Sequence, residues 1–102
     1  MNRQDYSDRR SLMMHVVIAE KLNQNPQLWS IPQNNLEKWL KAGVCQKTYQ
    51  EWENIFLNSS KDKIIEIITS DSETSKRLRS SSPFAGILTM IERKKFFSGT
   101  FF

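Results

Sequence analysis

The sequence predicts an all-α fold, a compact bundle of five to seven short helices in one domain over residues 1–102. Three observations carry this. Apolar residues recur at three-and-four spacing through most of the chain. The boundaries between those stretches carry helix start and stop signals, including two capping-box matches. No pair of alternating segments offers a convincing pair of strands, and connections of two to six residues suit a helical domain.

Asp5 or Ser7 is positioned to cap a first helix running to about Asn23, with Leu12, Val16, Ala19 and Leu22 as its core face. The β-branched run Val16-Val17-Ile18 favours strand locally, but the longer periodicity outweighs it. Asn25-Pro26 reads as a cap and first helical position for a short turn through Trp29. Pro32 opens a helix carrying Leu36, Trp39 and Leu40, and Gly43 stops it. A helix from about Lys47 to Asn58 puts Tyr49, Trp52 and Phe56 on one stripe, widened by Ile55.

Ser59 or Ser60 caps a helix whose apolar side is Ile64, Ile65, Ile67 and Ile68. Ser70 to Glu73 has capping-box spacing and starts a short helix through Leu78. Ser80-Ser81-Ser82-Pro83 ends it, because the residue before proline avoids the helical region. Thr89 to Glu92 is the second box and opens a last helix toward Phe97. The segment 98–102, with Gly99, is expected to fray.

At 102 residues there is room for one core. No apolar run approaches the ~20 residues of a membrane span. The N-terminal region lacks the pattern of an export signal, and the single Cys45 cannot form an internal disulfide. The expectation is a cytoplasmic protein with no membrane contact. Net charge is +4, unevenly placed. Residues 1–75 hold nine basic and ten acidic side chains, whereas residues 76–102 hold six basic ones (Lys76, Arg77, Arg79, Arg93, Lys94 and Lys95) against Glu92 alone. Such a patch steers acidic protein surfaces or phosphate backbones, unless it is merely a solvated helix face.

Catalytic and metal signatures are weak. His15 and Cys45 are the only histidine and cysteine, short of the four ligands a zinc site wants. His15 reads more readily as a hydrogen-bonded edge residue than as a catalyst, and Cys45 as a small packing residue. No glycine-rich phosphate loop or nucleophile elbow is present. The expectation is no catalytic residue, no cofactor, no metal and no evident small-molecule substrate. Trp39 and Trp52 read as core, while Trp29 fits either a helix joint or a partner contact.

Two segments invite binding roles. Leu36 to Trp52 has the rhythm of a helix-turn-helix, with Lys47, Thr48 and Gln50 on the second helix facing a DNA groove. Trp39 is bulky where that motif wants a small residue, and Glu51 and Glu53 repel phosphates. The segment Leu78 to Leu88 is the most distinctive: Pro83 and Gly86 shape a rigid loop, and Phe84, Ile87 and Leu88 tuck beneath it. Arg79 and the serine hydroxyls then face outward, and Arg77, Arg79, Ser81, Ser82, Pro83, Phe84, Arg93 and Lys94 form a docking surface for an acidic partner. The plain alternative is a helix connection pinned by Phe84.

A family resemblance spans nearly the whole chain up to about Arg93. It is carried by Arg10-Ser11-Leu12 with His15, by Ala19-Glu20-Lys21-Leu22, by Asn35 to Trp39, by Glu51-Trp52-Glu53 and by Leu78 to Arg93, the Ser-Pro-Phe-Ala-Gly segment being most specific. These resemble a family of small bacterial antitoxin-like proteins encoded beside nucleotidyltransferase-like toxins. The resemblance implies an antitoxin or accessory subunit that occludes its partner without catalysis. The sequence departs after Arg93, where Lys94-Lys95-Phe96-Phe97 stands in place of a further aromatic helix turn. The alternative is a DNA-binding regulator working through Lys47, Thr48 and Gln50.

Overall fold

The computed structural model of the chain describes residues 3–97. Its regular structure is α1 (Arg3–Gln24), a 3₁₀ turn (Pro26–Trp29), α2 (Ser30–Ala42), α3 (Gln46–Asn58), α4 (Lys61–Thr69), α5 (Glu73–Arg79) and α6 (Met90–Phe97). The all-α expectation holds: six helices form the bundle, and no strand occurs among the described residues. The segment expected to fray, 98–102, lies outside the described residues.

The long helix α1 is the spine, packing on α4, α5, α6 and the 3₁₀ turn, while α2 packs on α3. Its buried residues are His15, Ile18, Ala19 and Leu22, and Val16 is 37% exposed. The buried stripe is therefore rotated from the expected one. His15, Ile18, Ala19 and Leu22 obey the same three-and-four spacing, but a polar residue opens the series, so apolar periodicity alone chose the neighbouring stripe. Helix α1 is already formed at Arg3, which places Asp5 and Ser7 inside it rather than at its cap.

Some other boundaries follow capping chemistry, whereas the Asn25 side chain makes no cap to the 3₁₀ turn and Pro32 lies inside α2, which starts at Ser30. Ser60 Oγ accepts from the Lys63 N–H at 3.1 Å. Gly43 closes α2 in the left-handed region at φ 75°, which costs glycine little. Thr89 Oγ1 accepts from the Glu92 N–H at 3.1 Å while Glu92 Oε1 accepts from the Thr89 N–H at 2.8 Å, a reciprocal box. The Ser70–Glu73 match is not a box. Ser72 caps α5 by accepting from the Ser75 N–H, and Ser70 Oγ accepts from the Ser72 N–H one step earlier. Cys45 is exposed, with φ 46° in the turn before α3, rather than a packing residue.

Phe84 sits at the centre of the aromatic core although it belongs to a loop. Its ring lies 6.0 Å from Trp52 and Phe56, 6.1 Å from Trp29 and 6.2 Å from His15, centroid to centroid. Trp29 and Trp52 are buried core residues. Trp39 is only half-buried and stacks instead on Tyr49 at 4.9 Å, joining α2 to α3 outside the main core. The loop around Phe84 is deeply set, so its backbone needs partners. Asn35 Nδ2 donates to the Pro83 and Ala85 carbonyls at 2.9 Å each and Lys21 Nζ donates to Ile87 O at 2.9 Å, while Trp52 Nε1 donates to Leu78 O, at the end of α5, at 3.2 Å.

Phe84→Ala is expected to destabilise the domain by roughly 3–5 kcal/mol, the range for emptying a buried aromatic site, whereas Val16→Ala costs about 0.5 kcal/mol or less. Urea unfolding of the two variants beside the parent checks both the keystone and the rotated face of α1.

Candidate functional site

A cleft of about 520 Å³ opens between α1, α5, the 80–88 loop and α6. Helix α1 lines it with Asp8, Arg10, Ser11 and His15, α5 with Lys76 and Arg79, the loop with Ser80, Ser82 and Phe84, and α6 with Arg93 and Phe97. The cleft gathers four basic side chains and one carboxylate, Asp8.

His15 lies at the inner wall, 5% exposed. Its Nδ1 is 2.7 Å from the Ser11 carbonyl, which only accepts, so Nδ1 carries the proton. Nε2 therefore accepts from the Ser82 hydroxyl at 2.7 Å, and Ser82 Oγ in turn accepts from the Phe84 N–H at 3.2 Å. Burial lowers the imidazole pKa to about 4; the hydrogen bond to Ser11 opposes this and the Arg79 charge adds to it. A serine on a histidine nitrogen is the geometry of a nucleophile and its base. Here the third partner is a carbonyl rather than a carboxylate, and so weakly basic an imidazole has little driving force for proton abstraction near neutral pH. The contact clasps the loop to α1.

The expected docking surface is taken apart by the structure. Arg79, Pro83 and Phe84 are buried, so they do not face outward. Arg79 is 4% exposed and its Nη1 donates to the Ile68 and Ser70 carbonyls, holding α4 and α5 together. Burial lowers its pKa, with Asp71 and Asp8 acting the other way through space. Arg77 remains exposed but is held by Glu51, donating from Nη1 and Nη2 at 2.7 and 2.8 Å. That pairing draws the Glu51 carboxyl below its usual pKa. Ser81 and Ser82 are half-buried; Ser81 Oγ donates to Leu78 O. Only Arg93 and Lys94 of the expected set stand exposed without an ion pair among the described residues.

Helix α6 supplies what the sequence reading missed. Met90 and Ile91 are 74% and 72% exposed, and Phe97 is exposed beside them, with Arg10 Cζ 4.6 Å over its ring. Glu92, the single acid of α6, is turned to its own fold: it accepts from Lys21 Nζ at 2.8 Å. That bond, with the Thr89 N–H, lowers its pKa to about 2. The capping-box pattern located Glu92, but nothing local announced Lys21, which lies 71 residues away.

In the helix-turn-helix-like segment, Lys47 and Gln50 are exposed and Thr48 is half-buried. Gln50 Nε2 donates to Gln46 Oε1, and Glu53 is exposed on the same helix. Among the described residues no three histidine, cysteine or acidic side chains converge as a metal site, and no helix is long and apolar enough to cross a membrane. No family model, curated protein or solved structure matches the chain.

The folded pKa of His15 lies below its ordinary value of 6.5, so the unfolded chain binds the proton more tightly. The stability this group gives is therefore present above pH 6.5 and lost as pH falls toward about 4. The expected loss is about 3 kcal/mol at most. Urea midpoints between pH 7 and pH 4 measure the slope, and His15→Gln should flatten it.

Proposed function

We propose that the chain is a non-catalytic protein-binding module that docks on an acidic protein surface through α6. The observation that carries the reading is the fate of Glu92. Because Lys21 and the helix cap occupy that carboxylate, α6 presents Arg93 and Lys94 beside the bare side chains of Met90 and Ile91. Exposed apolar side chains give contact area and the cations give steering, the combination of a protein interface.

Within that class, we propose the antitoxin or accessory subunit of a bacterial toxin–antitoxin pair, occluding a nucleotidyltransferase-like partner in the cytoplasm. This finer reading is supported by the resemblance of the Ser-Pro-Phe-Ala-Gly and neighbouring segments. The physical rationale is charge: such a partner holds metal ions with carboxylates, and a basic helix laid over them blocks access. The Ser-Pro-Phe-Ala-Gly segment acts in this scheme as a scaffold, since Phe84 and its loop fix where α6 begins.

A second reading is a DNA-binding regulator using Lys47, Thr48 and Gln50, favoured by the exposure of Lys47 and Gln50 after a tight turn. Duplex binding would weaken steeply with salt as phosphate counterions are released. A salt titration showing no duplex binding even at low ionic strength removes it.

The leading reading is tested by co-purifying the protein with the product of its neighbouring gene. Ile91→Glu combined with Lys94→Glu should weaken the complex by roughly 30-fold or more, as expected when a central apolar contact and a steering charge are both reversed. Leu57→Glu, on α3, should leave it unchanged. Unaltered affinity in the double variant overturns α6 as the docking element.

A further inference from the structure

We propose that the cleft between α1, α5 and α6 binds a phosphorylated small molecule with an aromatic body, of the mononucleotide class. The site shares Arg93 with the α6 docking face, but the reading does not depend on that face.

The central observation is Arg79. Its guanidinium is almost wholly buried, yet only Nη1 is satisfied; Nε and Nη2 have no hydrogen-bond partner. Arg10 Nε is likewise buried without a partner. Buried donors left unsatisfied cost free energy, more so on a charged group. Neither Asp8 nor Asp71 forms a hydrogen bond to Arg79; they act on it through space. The wall of the cleft thus carries a desolvated positive charge, which an anion seated in the cleft would offset through space, although the unpartnered nitrogens themselves are sealed from it.

The surrounding side chains suit a phosphate rather than a carboxylate. Arg10, Lys76 and Arg93 reach the cleft from three different helices and Ser11 and Ser80 line it. Lys76 is partly engaged with Glu73, at 3.4 Å. A phosphate monoester offers three acceptor oxygens and close to two negative charges, enough to take donors from several directions at once. A carboxylate has two oxygens and one charge.

Part of the lining is apolar. Met14, Leu88 and Phe97 contribute to it, and the Phe97 ring is already faced by the Arg10 guanidinium. An aromatic face beside a cation is a stacking platform for a nucleobase. The volume of about 520 Å³ falls inside the range of ordinary small-ligand sites.

Isothermal titration of the full chain with adenosine 5′-monophosphate, adenosine and inorganic phosphate tests the proposal. The nucleotide should bind saturably with a Kd below about 1 mM, at least about tenfold tighter than either fragment. Arg79→Ala would disturb the core, so the deciding variant is Arg10→Gln with Arg93→Gln. It should lose at least about tenfold in nucleotide affinity while unfolding at the parent's urea midpoint. Phosphate binding as tightly as the nucleotide overturns the role of the apolar wall. Failure of all three ligands to saturate, or full affinity in the double variant, overturns the site.

Discussion

The fold turns on an aromatic side chain delivered by a loop. Phe84 reaches into the space between α1, the 3₁₀ turn and α3, where His15, Trp29, Trp52 and Phe56 surround it. Burying a ring from a loop drags unpaired backbone into the interior, and that is tolerable only if other side chains meet its carbonyls. Asn35 and Lys21 do so, from α2 and α1, while Trp52 holds the Leu78 carbonyl at the end of α5, where the loop departs. The polar residues of the core are thus not ornaments on an apolar bundle. They are the condition under which the bundle can close over this loop.

The helical class was legible because it is written locally. Three-and-four spacing, the Thr89–Glu92 box, the Ser60 cap and the Gly43 stop each depend on residues within one or two turns. The tucking of Phe84, Ile87 and Leu88 was also legible, since a proline-pinned apolar triplet between helices has nowhere else to go. What failed was everything set by distant partners. Apolar periodicity points to the wrong face of α1 because His15 is buried against Ser82, 67 residues on. Arg79 was placed outside because arginine is seldom buried, and only the free carbonyls at the end of α4 reverse that preference.

The same distinction explains the basic quarter of the chain. Counting charge treats six cations as one patch, but each has its own destination. Arg77 is spent on Glu51 and Lys76 lies near Glu73 and Asp71. Arg79 is sealed into the interior. Arg93, Lys94 and Lys95 are exposed on α6, Arg93 at the edge of the cleft. A net charge of +5 in sequence therefore becomes a narrow basic strip on α6 and a positive cleft behind it, two features with different chemistry.

Both features depend on how α6 is hung. Glu92 ties its first turn to Lys21, and that same ammonium also holds the Ile87 carbonyl at the end of the Phe84 loop. One cation thereby fixes the loop, the start of the last helix and the direction in which Met90, Ile91 and Lys94 project. Buried Phe96 secures the far end, and Phe97 meets Arg10 across the cleft. Because Lys21 and Glu92 are mostly shielded but not sealed, their bond is worth less than a buried pair and more than a surface one. The last helix is therefore placed by a few contacts at its two ends, which leave Met90, Ile91 and Lys94 exposed along its length.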